Sequence, residues 1–135
     1  MKNLAILLLI LAIIIGCSQS KSVVANTSQA KPVKGDTLRI ANDSLEYEIV
    51  IIEPGFDSWL ATAKPRNFYS VSYLENKNQL YVMSWNQRVL NPERYDPSLY
   101  ERRIDYESNI RYGLEVNYLL YNYFVYFQSR YKQRL

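Results

Sequence analysis

From Leu114 to Lys132 the chain runs without a glycine or proline, and in its middle, Tyr118 to Phe127, only Asn122 is neither apolar nor aromatic. That composition suits a strand, and strand stays open as an alternative. The uninterrupted length, far beyond the usual strand of about five or six residues, predicts a helix. Val116, Leu120, Phe124, Phe127 and Tyr131 then fall on one stripe, and most other sides are apolar too. A helix apolar all round has to be enclosed. The segment is therefore expected at the centre of the core, its tyrosine hydroxyls reaching the rim or a partner. Arg130, Lys132 and Arg134 suit the negative end of its dipole.

The elements before it read in order. Thr37-Leu38-Arg39-Ile40 predicts a short strand and Asn42-Asp43-Ser44 a turn. Glu46-Tyr47-Glu48-Ile49-Val50-Ile51-Ile52 is the clearest strand, alternating at first and apolar at its far end, which predicts burial on both faces there. Pro54-Gly55 stops it. Asp57 is expected to cap a short helix carrying Trp59 and Leu60, ended by Pro65. A longer helix is predicted over 68–90. Its stripe is Val71, Leu74, Asn78, Val82, Trp85 and Val89, with Tyr81 beside it and Asn78 the one polar interruption. Asn91-Pro92 ends it. Asp96-Pro97 has the form of a cap followed by proline at the first helical position, predicting a short helix to about Arg103. The whole is an α+β domain: a short antiparallel sheet near its N-terminus, packed by two long helices and one or two short ones.

The first residues follow a different logic. Lys2 precedes an apolar run, Leu4–Ile15, then Gly16 and Cys17. The run is shorter than the roughly 20 residues that span a bilayer and matches the apolar part of an export signal. Ile14-Ile15-Gly16-Cys17 resembles the lipobox of bacterial lipoproteins. In that family the cysteine thiol takes a diacylglycerol and the chain is cut before it. Cys17 is also the sole cysteine, and lipidation gives an otherwise unpaired exported thiol a use. The expected organisation is a signal peptide over 1–16, lipidated Cys17 with a flexible tether over 17–35, and one globular domain over 36–135. As a coil, the 18 residues from Ser18 to Gly35 would span on the order of 20–25 Å.

Chemistry is limited by what is missing. With no histidine and a single cysteine, serine–histidine and cysteine–histidine catalysis and the usual zinc ligand sets fall away. Ser-x-x-Lys occurs at Ser18–Lys21, Ser28–Lys31 and Ser129–Lys132, without the companion motifs of serine–lysine enzymes. No calcium loop and no glycine-rich phosphate loop is present. No metal or cofactor is expected. The net charge of +3, without a clustered basic face, argues against nucleic acid.

Aromatic and arginine residues mix in the loops and short elements, as at protein interfaces. The candidate interaction surface is Trp59, Arg88, Arg94, Tyr95, Tyr100, Arg102 and Arg103, while Trp85 belongs to the apolar stripe of its helix. An alternative glycan site pairs Glu53 and Asp57 as carboxylates with Trp59 and Tyr95 as platforms. Asp96 or Asp105 with Glu115 is a weaker carboxylate pairing.

The segments 52–60 (Ile-Glu-Pro-Gly-Phe-Asp-Ser-Trp-Leu), 85–89 (Trp-Asn-Gln-Arg-Val), 94–97 (Arg-Tyr-Asp-Pro) and 112–121 (Tyr-Gly-Leu-Glu-Val-Asn-Tyr-Leu-Leu-Tyr) resemble an uncharacterised family of small Bacteroidota lipoproteins, a domain of unknown function. The resemblance covers essentially the whole folded region. It implies an envelope lipoprotein of that phylum and no activity. Ser-Gln-Ser-Lys-Ser after Cys17 lacks the acidic cluster of that phylum's surface-exported lipoproteins, so the expected location is the periplasmic face of the outer membrane. The expected function is a non-catalytic module that binds an envelope protein partner. A cell-wall glycan binder or weak hydrolase, and a structural envelope component, are the alternatives. Replacement Cys17→Ser is expected to abolish incorporation of radiolabelled fatty acid in cells; retained label would refute the anchor.

Overall fold

The structure is a computed structural model and describes residues 37–135. The segments expected as an export signal and a tether, with Cys17, lie outside the described residues, as do Ser18–Lys21 and Ser28–Lys31. Strands β1 (Thr37–Asn42) and β2 (Tyr47–Ile52) form a two-stranded antiparallel sheet. Helix α1 (Phe56–Leu60), helix α2 (Val71–Val89) and helix α3 (Gly113–Arg130) follow. Short 3-10 turns occur at Asp43–Leu45 and Arg66–Phe68. The α+β architecture expected from the sequence is the one observed.

Helix α3 is the centre. All residues from Val116 to Phe127 except Val125 are buried, and α1, α2 and β1 pack around them. The strand-like composition of this segment yields to its length. A six-residue strand closes its hydrogen bonds only with neighbours, whereas a helix closes them internally wherever it is buried. Helix α2 supplies Leu74, Asn78, Val82 and Trp85 to the shared core. Its cap is Ser70, whose hydroxyl accepts from the Tyr73 N–H at 3.1 Å. Asn78 meets its counterpart across the helix pair: its Nδ2 donates to Asn117 O at 2.9 Å and to Asn117 Oδ1 at 3.0 Å. The hydroxyl of Tyr106 donates to the same Oδ1 at 2.7 Å.

The hairpin register runs one to one from Asn42↔Tyr47 to Thr37↔Ile52. Its turn is closed by Asn42, whose Oδ1 accepts from the Ser44 N–H at 3.1 Å. Ile40, Ile49 and Ile51 face the core. The expectation that the far end of β2 is buried on both faces is corrected: Val50 is 56% exposed and Ile52 73%. With two strands and one covered face among the described residues, the period of two sends alternate residues to solvent.

Two helix starts also differ from expectation. Asp57 is not the cap of α1. Gly55, at φ 84°, holds that position and Asp57 lies exposed in the first turn. A side chain at residue 55 would need an unfavourable left-handed backbone, and its Cβ would lie 3.3 Å from the Tyr126 hydroxyl. No helix follows Asp96-Pro97. The Asp96 carboxylate accepts from Ser98 N–H at 2.9 Å and Ser98 Oγ at 2.7 Å, and backbone bonds to Asp96 O make one turn. The chain then leaves that turn because residues 102–104 are held by α2, as described below.

Phe124 is fully buried and touches Tyr81, Trp85 and Tyr123. Phe124→Ala is expected to cost about 3–5 kcal/mol of stability, read as a lower urea midpoint at unchanged slope. A cost under about 1 kcal/mol would contradict a core built on α3.

Candidate functional site

Residues 90–112 cross between the two long helices without regular structure. Loops of this length inside a small domain are uncommon and often functional. This one is pinned by the end of α2. Asn86 pairs with the backbone of Ile104 through both amide atoms, donating Nδ2 to Ile104 O and accepting from Ile104 N–H, each at 2.8 Å. The Trp85 indole N–H donates to Arg102 O at 2.8 Å. The Tyr47 hydroxyl, from the start of β2, donates to Asp105 O at 2.7 Å. The loop is thereby held opposite β2 at a fixed distance.

Between them lies a groove of about 890 Å³. One wall is β2, since every residue from Glu46 to Glu53 lines it. Neighbouring residues of a strand point to opposite faces, so a wall made of all of them is the backbone edge. The other wall is the loop from Ser98 to Asp105, and Trp85, Tyr123, Phe127 and Tyr131 reach the groove from the helices. No backbone hydrogen bond joins β2 to the loop among the described residues.

Glu53 closes one end. It is 8% exposed, and its Oε1 accepts from the Tyr131 hydroxyl at 2.9 Å. Burial raises the pKa of Tyr123, and the charges of Glu53 and Glu101 raise it further. Burial, followed by the hydrogen bond to Glu53, does the same to Tyr131. At the other end, burial pushes Tyr47 up, with smaller contributions from Tyr112 and Asp105.

The residues singled out in the sequence fall in three places. Arg102 and Arg103 are exposed on the loop wall of the groove. Arg88, in the last turn of α2, gathers Arg94, Tyr95 and Tyr100 around that end of the helix. The Arg88 guanidinium lies 5.0 Å from the Tyr95 ring centroid and 5.4 Å from that of Tyr100, and Arg94 lies 5.6 Å from Tyr95. Arg88 also donates to the Tyr100 hydroxyl at 2.6 Å and to the carbonyl of Arg134. Tyr100 is corrected from surface to core: it is 2% exposed, with its ring on Trp85 and Phe127. Trp59 is half-buried against Phe56 and Tyr126.

The four glycan candidates do not form one site. Glu53 lines the groove; Asp57, Trp59 and Tyr95 do not. Nor is Glu115 available to pair with a second carboxylate, because Arg66 holds it at 2.6 Å. Asp96 is engaged by Ser98, whose hydroxyl and N–H hold its carboxyl below the usual range.

What sequence reasoning missed is the groove and the residue that shapes it. In the sequence Asn86 stands out only as part of the segment 85–89 that carries the family resemblance, with no role attached to it. A second feature also escaped notice. Leu80 and Met83 on α2, and Leu90 at its C-terminal cap, are exposed.

Burial raises the pKa of several phenols, Tyr106 to about 12, with Glu75 adding to the effect, and Tyr47, Tyr121 and Tyr123 upward as well. Unfolded tyrosines titrate near 10. These groups bind protons more tightly in the folded chain, so their stabilising contribution is complete below pH about 10. It is lost as pH rises from there through the folded values. Tyrosinate absorbance and loss of helical circular dichroism should therefore rise together in an alkaline titration above pH about 10. Ionisation of all the tyrosines near 10 with the helices intact would contradict the burial.

Among the described residues no helix is long and apolar enough to cross a membrane, and no three His, Cys, Asp or Glu side chains gather as metal ligands. No curated protein and no solved structure matches the chain. Residues 5–135 match a family of unknown function, DUF6146. The match takes in nearly all of the sequence, including every described residue, and the chain belongs to that family.

Proposed function

We propose that this chain is a lipid-anchored envelope lipoprotein of the Bacteroidota type whose domain binds an envelope protein partner without catalysing a reaction. Cys17 is the attachment point in this reading, and the periplasmic face of the outer membrane is the location. The observation that carries the partner-binding role is the groove along β2: a strand edge unpaired among the described residues, facing a long loop that α2 holds in place. Fixed walls lower the ordering cost of association, and exposed Arg102 and Arg103 on the loop supply a residue type favoured at interfaces. The glycan reading has less support, since its two aromatic platforms and one of its two carboxylates lie away from the groove.

Photo-crosslinking in cells tests the reading. A photoreactive residue at Arg103, on the groove wall, is expected to give one discrete adduct with an envelope protein. The same group at Leu80, on the outer face of α2, is expected to give none. Absence of any adduct from Arg103, or an adduct from Leu80 alone, would overturn the proposal that the groove binds a partner.

A further inference from the structure

The groove also indicates what kind of segment would fill it. A strand directs the N–H and C=O groups of alternate residues to its two sides. Strand β2 is paired on one side, by β1, and on the other presents its remaining backbone groups to the groove. Natural edges are usually blunted by lysine, proline, a bulge or a covering segment. From Tyr47 to Ile52, β2 has no lysine or proline, and its register with β1 is unbroken. A hairpin of two strands is also marginal by itself, so a third strand would complete the sheet. Val50 and Ile52, largely exposed on the outer face, would gain apolar neighbours from such a strand.

Charge narrows the choice. The chain as a whole carries +3, yet carboxylates outnumber guanidiniums along the groove. Glu46 and Asp105 lie at the Tyr47 end, Glu53 lies at the other against Tyr131, and Glu101 is on the loop wall. Glu48 is answered by Arg39 at 2.8 Å. No side-chain ion pair engages Glu46, Glu101 or Asp105 among the described residues. Glu53 is more than nine-tenths buried, and only one of its carboxylate oxygens is bonded there. Acidic groups at both ends of a strand edge suit a segment with cationic residues at its two ends, a strand's length of about 17–20 Å apart.

Resting on the partner-binding reading above, we propose that the free edge of β2 accepts an extended, basic-ended segment of a partner polypeptide as a third strand. Backbone hydrogen bonds to β2 would supply sequence-tolerant affinity, and the carboxylates would select the charge.

The test uses the full chain in detergent micelles and a labelled synthetic peptide, Lys-Val-Thr-Val-Thr-Val-Lys. Binding is expected, and it should weaken at least about tenfold when the lysines are replaced by glutamates. A similar loss is expected when alternate peptide nitrogens are methylated, which removes the backbone donors. In the protein, Glu101→Lys with Asp105→Lys, both in the exposed loop, should weaken binding while leaving the helical signal unchanged. No binding at about millimolar peptide, or equal binding of the lysine and glutamate peptides or of the methylated one, overturns the proposal. Replacing Lys21, Lys31 and Lys34 by Gln should leave binding unchanged. A tenfold gain would instead make the chain's own segment before β1 the occupant and overturn a partner strand. An Arg103 adduct that survives Glu101→Lys with Asp105→Lys would preserve the partner reading and refute the basic-ended strand.

Discussion

The enclosure of α3 is the constraint from which the rest of the domain follows. A helix with apolar and aromatic side chains on nearly every side cannot rest on a surface; other elements must cover it all round. Helix α2, the short α1 and strand β1 each cover part of it. Tyrosines supply much of that core. Several of these rings fill core space while their hydroxyls reach backbone carbonyls. Tyr118 donates to Lys64 O and Tyr126 to Pro54 O, each at 2.7 Å. These two bonds tie the segments before and after α1 to the central helix. Burial and fastening are accomplished by the same side chains.

A second consequence concerns the loop. Helix α2 turns Trp85 inward against Tyr100, Tyr123, Phe124 and Phe127. That orientation also aims the indole N–H at Arg102 O, and the next residue, Asn86, takes Ile104 in a two-point grip. The long loop is therefore anchored to the core at its middle rather than lying against β2. A gap between the loop and the strand edge is the geometric result. Partner recognition, in the function proposed above, makes use of that gap.

Much of the architecture was legible in the sequence because it depends on local pattern. The spacing of Leu74, Asn78, Val82 and Trp85 marked the inner face of α2, and the length of the Tyr-rich segment marked α3 as a helix. The hairpin announced itself through Asn42-Asp43-Ser44 between two β-branched runs. Errors arose where a local signal had more than one outcome. Asp96-Pro97 offers good capping chemistry, but one turn satisfies it, and the pull of Trp85 and Asn86 on residues 102–104 takes the chain out of helix. The apolar end of β2 implied burial on both faces, yet no third strand or outer layer exists among the described residues to provide it. Tyr100 sat among loop arginines in sequence and lies beneath them in space, its hydroxyl accepting from Arg88.

By itself, then, the sequence determined the two strands, the two long helices and which of those helices is central, since backbone periodicity and chain length act over a few residues. Its first 17 positions resemble an export signal followed by a lipobox cysteine, which is the basis of the anchor proposed above. Tertiary structure alone decided that Glu46 to Glu53 would line the groove with an edge unpaired among the described residues, and that the loop would stand off from it. It also separated Trp59, Tyr95 and Glu53 into different surroundings. Those outcomes depend on contacts between residues far apart in the chain, such as Tyr47 with Asp105 and Tyr131 with Glu53. No local pattern encodes such pairings, because they exist only after α3 has been enclosed.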